Sequence, residues 1–181
     1  MPPKTWKTLS SRPVYENPWT KVREDIAEMP DGKTTLYGVI ETGDAVGILP
    51  FLDEEHIVLV RQYRYVFGEN HRWEMPTGGV EPGEALLVAA QRELQEEVGY
   101  QAGQLSYLHT FYSSKSVMYE VAHLYLASKL VQVEAIPEET EFLEVAVFPF
   151  DRVLKMVLDS EIRDVMTVVA VLLADRMRRN L

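Results

Sequence analysis

Glu93, Glu96 and Glu97 stand three and four residues apart. On an α-helix these three carboxylates share one face. Like charges this close repel, so a helix gains nothing from them by itself. A bound hard cation removes the repulsion. Mg²⁺ and Mn²⁺ favour oxygen ligands in near-octahedral sites, keep several waters and often sit beside substrate phosphates. The triplet therefore reads as a metal platform for phosphate chemistry.

The flanking residues say how such a platform is positioned. Pro82-Gly83 is a turn signal. Glu84 is expected to open the helix, where an acid favours the positive end of the dipole. Leu87, Ala90, Leu94 and Val98 form an apolar stripe beside the carboxylates, expected to anchor the helix on a core. Gly99 fits as the helix stop. Gly78 and Gly79 precede the turn, and residues without side chains let backbone approach a metal or a phosphate closely.

Together the stretch from Gly78 to Tyr100 resembles the Nudix box. Its pattern is Gly, five residues, Glu, seven residues, then Arg-Glu-U-x-Glu-Glu-x-Gly-U, with U a bulky aliphatic. Gly78, Glu84, Arg92, Glu93, Leu94, Glu96, Glu97 and Gly99 match it. Tyr100 departs at the last position but is still large and apolar. The resemblance implies an α/β/α sandwich around a mixed β-sheet, with Glu93 and Glu97 holding Mg²⁺ or Mn²⁺ and Glu96 sharing or bridging. It also implies that the backbone carbonyl of Thr77 is a metal ligand, and that Glu84 and Arg92 orient the helix.

Composition agrees with one soluble domain of this kind. The chain has 181 residues, with 46% hydrophobic and 10% aromatic content, enough for a substantial core. A net charge of −10 argues against a nucleic-acid backbone binder, which carries a basic footprint. No apolar run approaches membrane-spanning length, and the first residues lack the apolar core of a signal peptide. The absence of cysteine excludes disulfides and thiolate catalysis. A cytoplasmic location is expected.

Strands are expected near 19–27, 34–41, 46–51, 57–64, 72–75, 105–111, 121–126 and 143–148. Asp53-Glu54-Glu55 is expected to join the third and fourth as a hairpin. Two helices follow, at 152–158 and 165–178. The order of elements indicates an α/β or α+β layer fold. The expected organisation is an N-terminal strand region, 1–43, and a Nudix domain, 44–181.

Further segments resemble the ADP-ribose and ADP-sugar pyrophosphatase branch of that family: Leu59–Arg64, Trp73–Gly78, Glu161–Asp164 and Glu16–Arg23. The branch implies a homodimer in which an N-terminal strand region crosses to the partner subunit and both protomers line each pocket. Trp19 matches an aromatic that stacks on adenine from the partner, or serves as a core or interface tryptophan. Arg64 ends an expected strand and matches a phosphate-contacting arginine, or is a surface arginine held in an ion pair. Glu141 matches the glutamate of a loop that helps activate water, with Glu139 the nearest rival and Glu96 another candidate base. One loop departs. The branch carries a Ser-Pro-Gly type sequence where this chain has Tyr112–Glu120, without proline or glycine but with Lys115. That departure bears on substrate choice and not on pyrophosphate hydrolysis.

There is no Gly-x-Ser-x-Gly elbow, no His-Glu-x-x-His pair and no P-loop lysine. The resulting expectation is metal-dependent hydrolysis of a nucleoside diphosphate linked to another group, foremost ADP-ribose or an ADP-sugar, giving AMP and a sugar phosphate. GDP-mannose or a dinucleotide is the alternative substrate. A module that senses nucleotide sugars without cleaving them is the alternative of another class, disfavoured by the intact glutamates.

Overall fold

The computed structural model describes residues 4–70, 72–136 and 142–179. Among the described residues twelve strands and three helices follow one another. They are β1 (Lys7–Glu16), β2 (Lys21–Glu28), β3 (Thr34–Glu41), β4 (Ala45–Pro50), β5 (His56–Arg61), β6 (Tyr63–Arg64), β7 (Glu69–Asn70), β8 (Thr77–Gly79), α1 (Leu86–Val98), β9 (Tyr100–Tyr112), β10 (Met118–Tyr119), β11 (Val121–Gln132), β12 (Glu144–Pro149), α2 (Phe150–Leu158) and α3 (Val165–Arg178). The chain divides into two units, Met1–Gly43 with Tyr112–Val121, and Asp44–Phe111 with Ala122–Leu181.

The first unit is a four-stranded sheet in the order β1-β2-β3-β10. β1 and β3 both pair antiparallel with β2, and β10 pairs parallel with β3. β1 is an edge strand absent from the sequence expectation. Ser10, Ser11 and Pro13 break its alternation, and its register shifts at Thr8/Ser10 and Pro13/Tyr15. An edge tolerates proline because no ladder bond is lost there. Every residue of β1 is exposed, and Trp6, Leu9, Val14, Tyr15, Leu36 and Tyr37 leave much apolar surface on this sheet uncovered.

The second unit carries a mixed sheet in the order β8-β4-β11-β9, with β4 parallel to β11 and antiparallel to β8. β5 pairs antiparallel with β12. Alternation along the strands produces two cores. Leu49, Leu59 and Leu124 face Phe150, Val153, Ile162, Ala170 and Val171 of the α2–α3 side. Val46, Ile48, Val58 and Val60 face Ala89, Ala90, Leu94 and Val98 of α1. Helices thus cover both faces of the strands, which is the sandwich expected. Among the described residues no helix is long and apolar enough to cross a membrane.

Three local expectations are corrected. The hairpin at Asp53 is limited to its turn. Asp53 Oδ1 accepts from the N–H groups of Glu55 and His56, and one bridge joins Phe51 to Ile57. Beyond it the strands part, because β8 and β11 occupy both edges of β4. The expected strand at 72–75 is reduced to a bridge between Val60 and Glu74, and Pro76 has no N–H to extend it. Leu87 points outward at 53% exposure, while Ala89 joins Ala90, Leu94 and Val98 on the buried face of α1.

Candidate active site

The glycine at position 78 makes room for a carboxylate. Gly78 lies on β8 opposite Val46, and a Cβ placed there would sit 2.0 Å from Glu93 Cδ and Oε1. Its φ is outside the left-handed region, so lack of volume rather than backbone freedom requires glycine here. Glu93 is buried on α1 against this gap. One helical turn later, Glu97 is also buried, and its Oε2 accepts the N–H of Thr77 at 3.1 Å. β8 and α1 are thus tied together through the acidic face itself.

Arg92 clasps the same assembly. Its Nε and Nη2 donate to the two oxygens of Glu84 at 3.0 and 2.9 Å, and Nη2 also donates to the carbonyl of Gly79 at 2.9 Å. Nη1 donates to Glu93 at 2.7 Å and to Glu96 at 3.0 Å. These bonds, led by the one to Glu84, hold the guanidinium firmly protonated. In return Arg92, helped by the Glu81 N–H, keeps the Glu84 carboxyl below its ordinary pKa. Glu84 does not open the helix as expected: α1 begins at Leu86 with Ala85 as its cap, and no acid lies in the first turn. Glu84 caps the preceding turn, where its Oε2 accepts the Glu81 N–H at 3.0 Å. Gly99 ends the helix as expected, at φ 69° and ψ 37°.

Among the described residues no group of three acidic or histidine side chains converges on a single point. Glu93 and Glu96 are drawn toward Arg92, and Glu97 toward Thr77. The donor set still fits a hard divalent cation. It is anionic, made only of oxygen, confined to one helix face and backed by a strand without side chains at Gly78 and Gly79.

Arg64 stands in the same unit, at the end of β6. Its Nε donates to Glu74 Oε1 at 3.1 Å, and its Nη2 contacts the same oxygen. Glu74 is 3% exposed. Burial pushes its carboxyl up to about 7, Arg64 pulls against that rise, and Asp164 adds to it. Sequence reasoning missed Glu74 as a partner of Arg64. The signal was an isolated acid inside Trp73-Glu74-Met75-Pro76, where an apolar residue would bury at no electrostatic cost. The 161–164 segment also gains a structural meaning. Asp164 caps α3, accepting from Thr167 N and Oγ1 at 2.7 Å each, and Thr167 Oγ1 accepts the Met75 N–H at 3.0 Å.

Trp19 belongs to the other unit. It is 80% exposed on the turn between β1 and β2, where Asn17 Oδ1 accepts the N–H groups of Trp19 and Thr20 at 2.9 and 2.7 Å. It is not a core tryptophan of this chain. Lys115 is exposed on a turn of that same unit. Glu139 and Glu141 lie outside the described residues.

The NUDIX domain model matches residues 41–168, which contain the whole acidic platform. This chain belongs to the Nudix family. Nudix hydrolases generally depend on a divalent metal, in keeping with the oxygen donor set. The model of the nucleoside diphosphate sugar hydrolase N-terminal domain matches residues 6–40 of this Nudix protein. Similar proteins include the methanol dehydrogenase activator of Bacillus methanolicus, 34% identical over 167 residues, spanning 91% of this chain and 90% of that one. The ADP-ribose pyrophosphatase of Bacillus subtilis is 32% identical over the same shares. That of Mycobacterium tuberculosis is 32% identical over 92% of this chain and 82% of its own. The crystal structure of an ADP compounds hydrolase superposes with a TM-score of 0.87 at 23% identity, covering 98% of this chain and 96% of the other, and so shares the fold.

Proposed function

We propose that this Nudix protein hydrolyses the diphosphate of ADP-ribose or a related ADP-sugar, giving AMP and a sugar phosphate, with Mg²⁺ as cofactor and Mn²⁺ as a substitute. The observation that carries the reading is the acidic face of α1 seated on Gly78 and clasped by Arg92. The ADP-ribose pyrophosphatases among its relatives, aligned over 90% and 82% of their lengths, support the substrate class.

Glu93 and Glu97 hold the cation, with Glu96 sharing or bridging and the Thr77 carbonyl as a further ligand. When bound, the metal neutralises the diphosphate and acidifies the attacking water. The chain's own residues do the rest. Arg64 binds a phosphate oxygen as a charged donor. Glu141 takes a proton from the water, with Glu96 or Glu139 as the alternative base. The water oxygen bonds to phosphorus, the bridging P–O bond breaks, and the leaving phosphate carries away the electron pair. Arg92 and Glu84 keep α1 in register with β8 and do not touch substrate.

The active form in this reading is a homodimer. Two things support it: the uncovered apolar sheet at the N-terminus, and an exposed indole at Trp19 on a turn whose backbone Asn17 holds. Trp19 of one subunit stacks on the base held by the other.

A screen of nucleotide sugars with Mg²⁺, following monophosphate release, tests the proposal. ADP-ribose or an ADP-sugar is expected to lead in kcat/KM. A preference for GDP-mannose or a dinucleotide would move the substrate class and leave the chemistry in place. Binding without cleavage across the whole panel would favour a sensing module.

A further inference from the structure

We propose that Glu74 is the positioning residue for Arg64, holding its guanidinium at the angle in which it meets the substrate's diphosphate. The inference rests on the reading of Arg64 as a diphosphate contact.

Arg64 closes β6 and opens the short exposed turn that leads to β7. Its carbonyl accepts the N–H groups of Phe67 and Gly68 at 3.0 and 3.1 Å, and the intervening Tyr65, Val66 and Phe67 are exposed. A long side chain at such a place is spread over many rotamers, and fixing it costs entropy at the moment of binding. Glu74 fixes it beforehand. Nε and Nη2, one edge of the guanidinium, both meet Oε1 of Glu74. The other edge, Nη1 and Nη2, lies 3.2 Å from the Gln62 amide oxygen once that amide is turned to accept. Gln62 is a neutral partner, and a phosphate oxygen displaces a neutral acceptor from a guanidinium readily. One edge is therefore committed and the other is exchangeable.

The support beneath Glu74 is rigid. Its N–H donates to the Val60 carbonyl at 2.9 Å, and its carbonyl accepts the Val60 N–H at 2.8 Å. The next residue is tied through Met75 N–H to the fully buried Thr167 hydroxyl. A carboxylate this deep is a poor stability device, since a well-packed apolar residue would serve the core as well or better. Its benefit lies in the direction it gives Arg64.

The test is a double-mutant cycle on ADP-ribose hydrolysis with Mg²⁺, using R64A, E74A, E74Q and R64A/E74A, each with its melting temperature recorded. R64A and E74A are expected to raise KM by a similar factor, about tenfold or more, with kcat changed less. E74A added to R64A is expected to change nothing further. E74Q keeps an oxygen acceptor at the same place and is expected to recover most of the loss. Should E74A not fold, E74M fills the same volume and carries the same expectation. An unchanged KM in E74A or E74M, with R64A impaired, overturns the positioning role alone. So do effects that multiply in the double variant. A normal R64A overturns the diphosphate reading of Arg64, and the positioning role with it.

Discussion

The carboxylate of Glu93 fills the space that any side chain at residue 78 would need, with Cδ 2.0 Å from where a Cβ on Gly78 would lie. The first glycine of the box is thus matched to a residue fifteen positions later. Gly78→Ala is expected to push Glu93 off its seat or β8 away from α1. Overpacking of this kind costs about 1–3 kcal/mol of stability. A displacement of about 1 Å in a catalytic group can cost roughly 10²-fold in rate. Turnover should therefore fall far more than the melting temperature suggests. Circular dichroism and steady-state kinetics on one preparation check this, and a fully active Gly78→Ala would count against the seat.

Glu141→Gln should lower kcat by about 10²–10⁴-fold, the usual loss on removing a general base. Substrate binding, measured by calorimetry with a non-hydrolysable analogue, should change little. A crippled Glu139→Gln beside a normal Glu141→Gln would shift the role to the rival residue.

Glu74 makes stability depend on pH. Its carboxyl is raised by burial to about 7, so folding takes up a proton between the ordinary carboxylate range and neutrality. The unfolded chain binds fewer protons in that window, so this group's contribution to stability is greatest below about pH 4.5, falls as pH rises through about 7, and is level above. Glu74→Gln should flatten that part of the profile. Urea midpoints at intervals from about pH 5 to about pH 8 check it. An unchanged slope would mean that Glu74 stays ionised throughout.

Trp19→Ala should raise KM for several nucleotide sugars by roughly tenfold, since stacking is worth about 1–3 kcal/mol per base and tolerates any base. kcat should change less. Sedimentation of both proteins must accompany the kinetics, and an active wild-type monomer would refute the shared pocket.

Much of this was legible in the sequence, for identifiable reasons. β3 and α3 match the expected 34–41 and 165–178, because β-favouring Thr, Tyr, Val and Ile mark the one and the apolar run from Val168 to Ala174 marks the other. The acidic platform was legible because its chemistry needs fixed residue types at helical spacing. What was not legible depends on partners distant in the chain. Pairing of β4 with β11 and β8, not with β5, is decided by competition for edges. The grip of Arg92 on Glu84 and Gly79 is decided by the turn at Pro82-Gly83, which brings residues eight and thirteen positions apart into contact. The pairing of Arg64 with Glu74 joins two residues that nothing in their spacing links. β1 has neither alternation nor burial to betray it.

The central claim is that the Glu93, Glu96 and Glu97 face of α1 binds the cation that hydrolysis of the diphosphate requires. The most direct measurement is release of AMP from ADP-ribose by wild type and Glu97→Gln, each titrated with Mg²⁺ after treatment with EDTA. Wild type should be inactive in excess EDTA and recover fully as Mg²⁺ is restored. Glu97→Gln, folded by circular dichroism, should stay lower in turnover by orders of magnitude and need more Mg²⁺ to reach its own maximum. Full wild-type activity in excess EDTA, or a Glu97→Gln protein with the same turnover and Mg²⁺ dependence as wild type, would contradict the account.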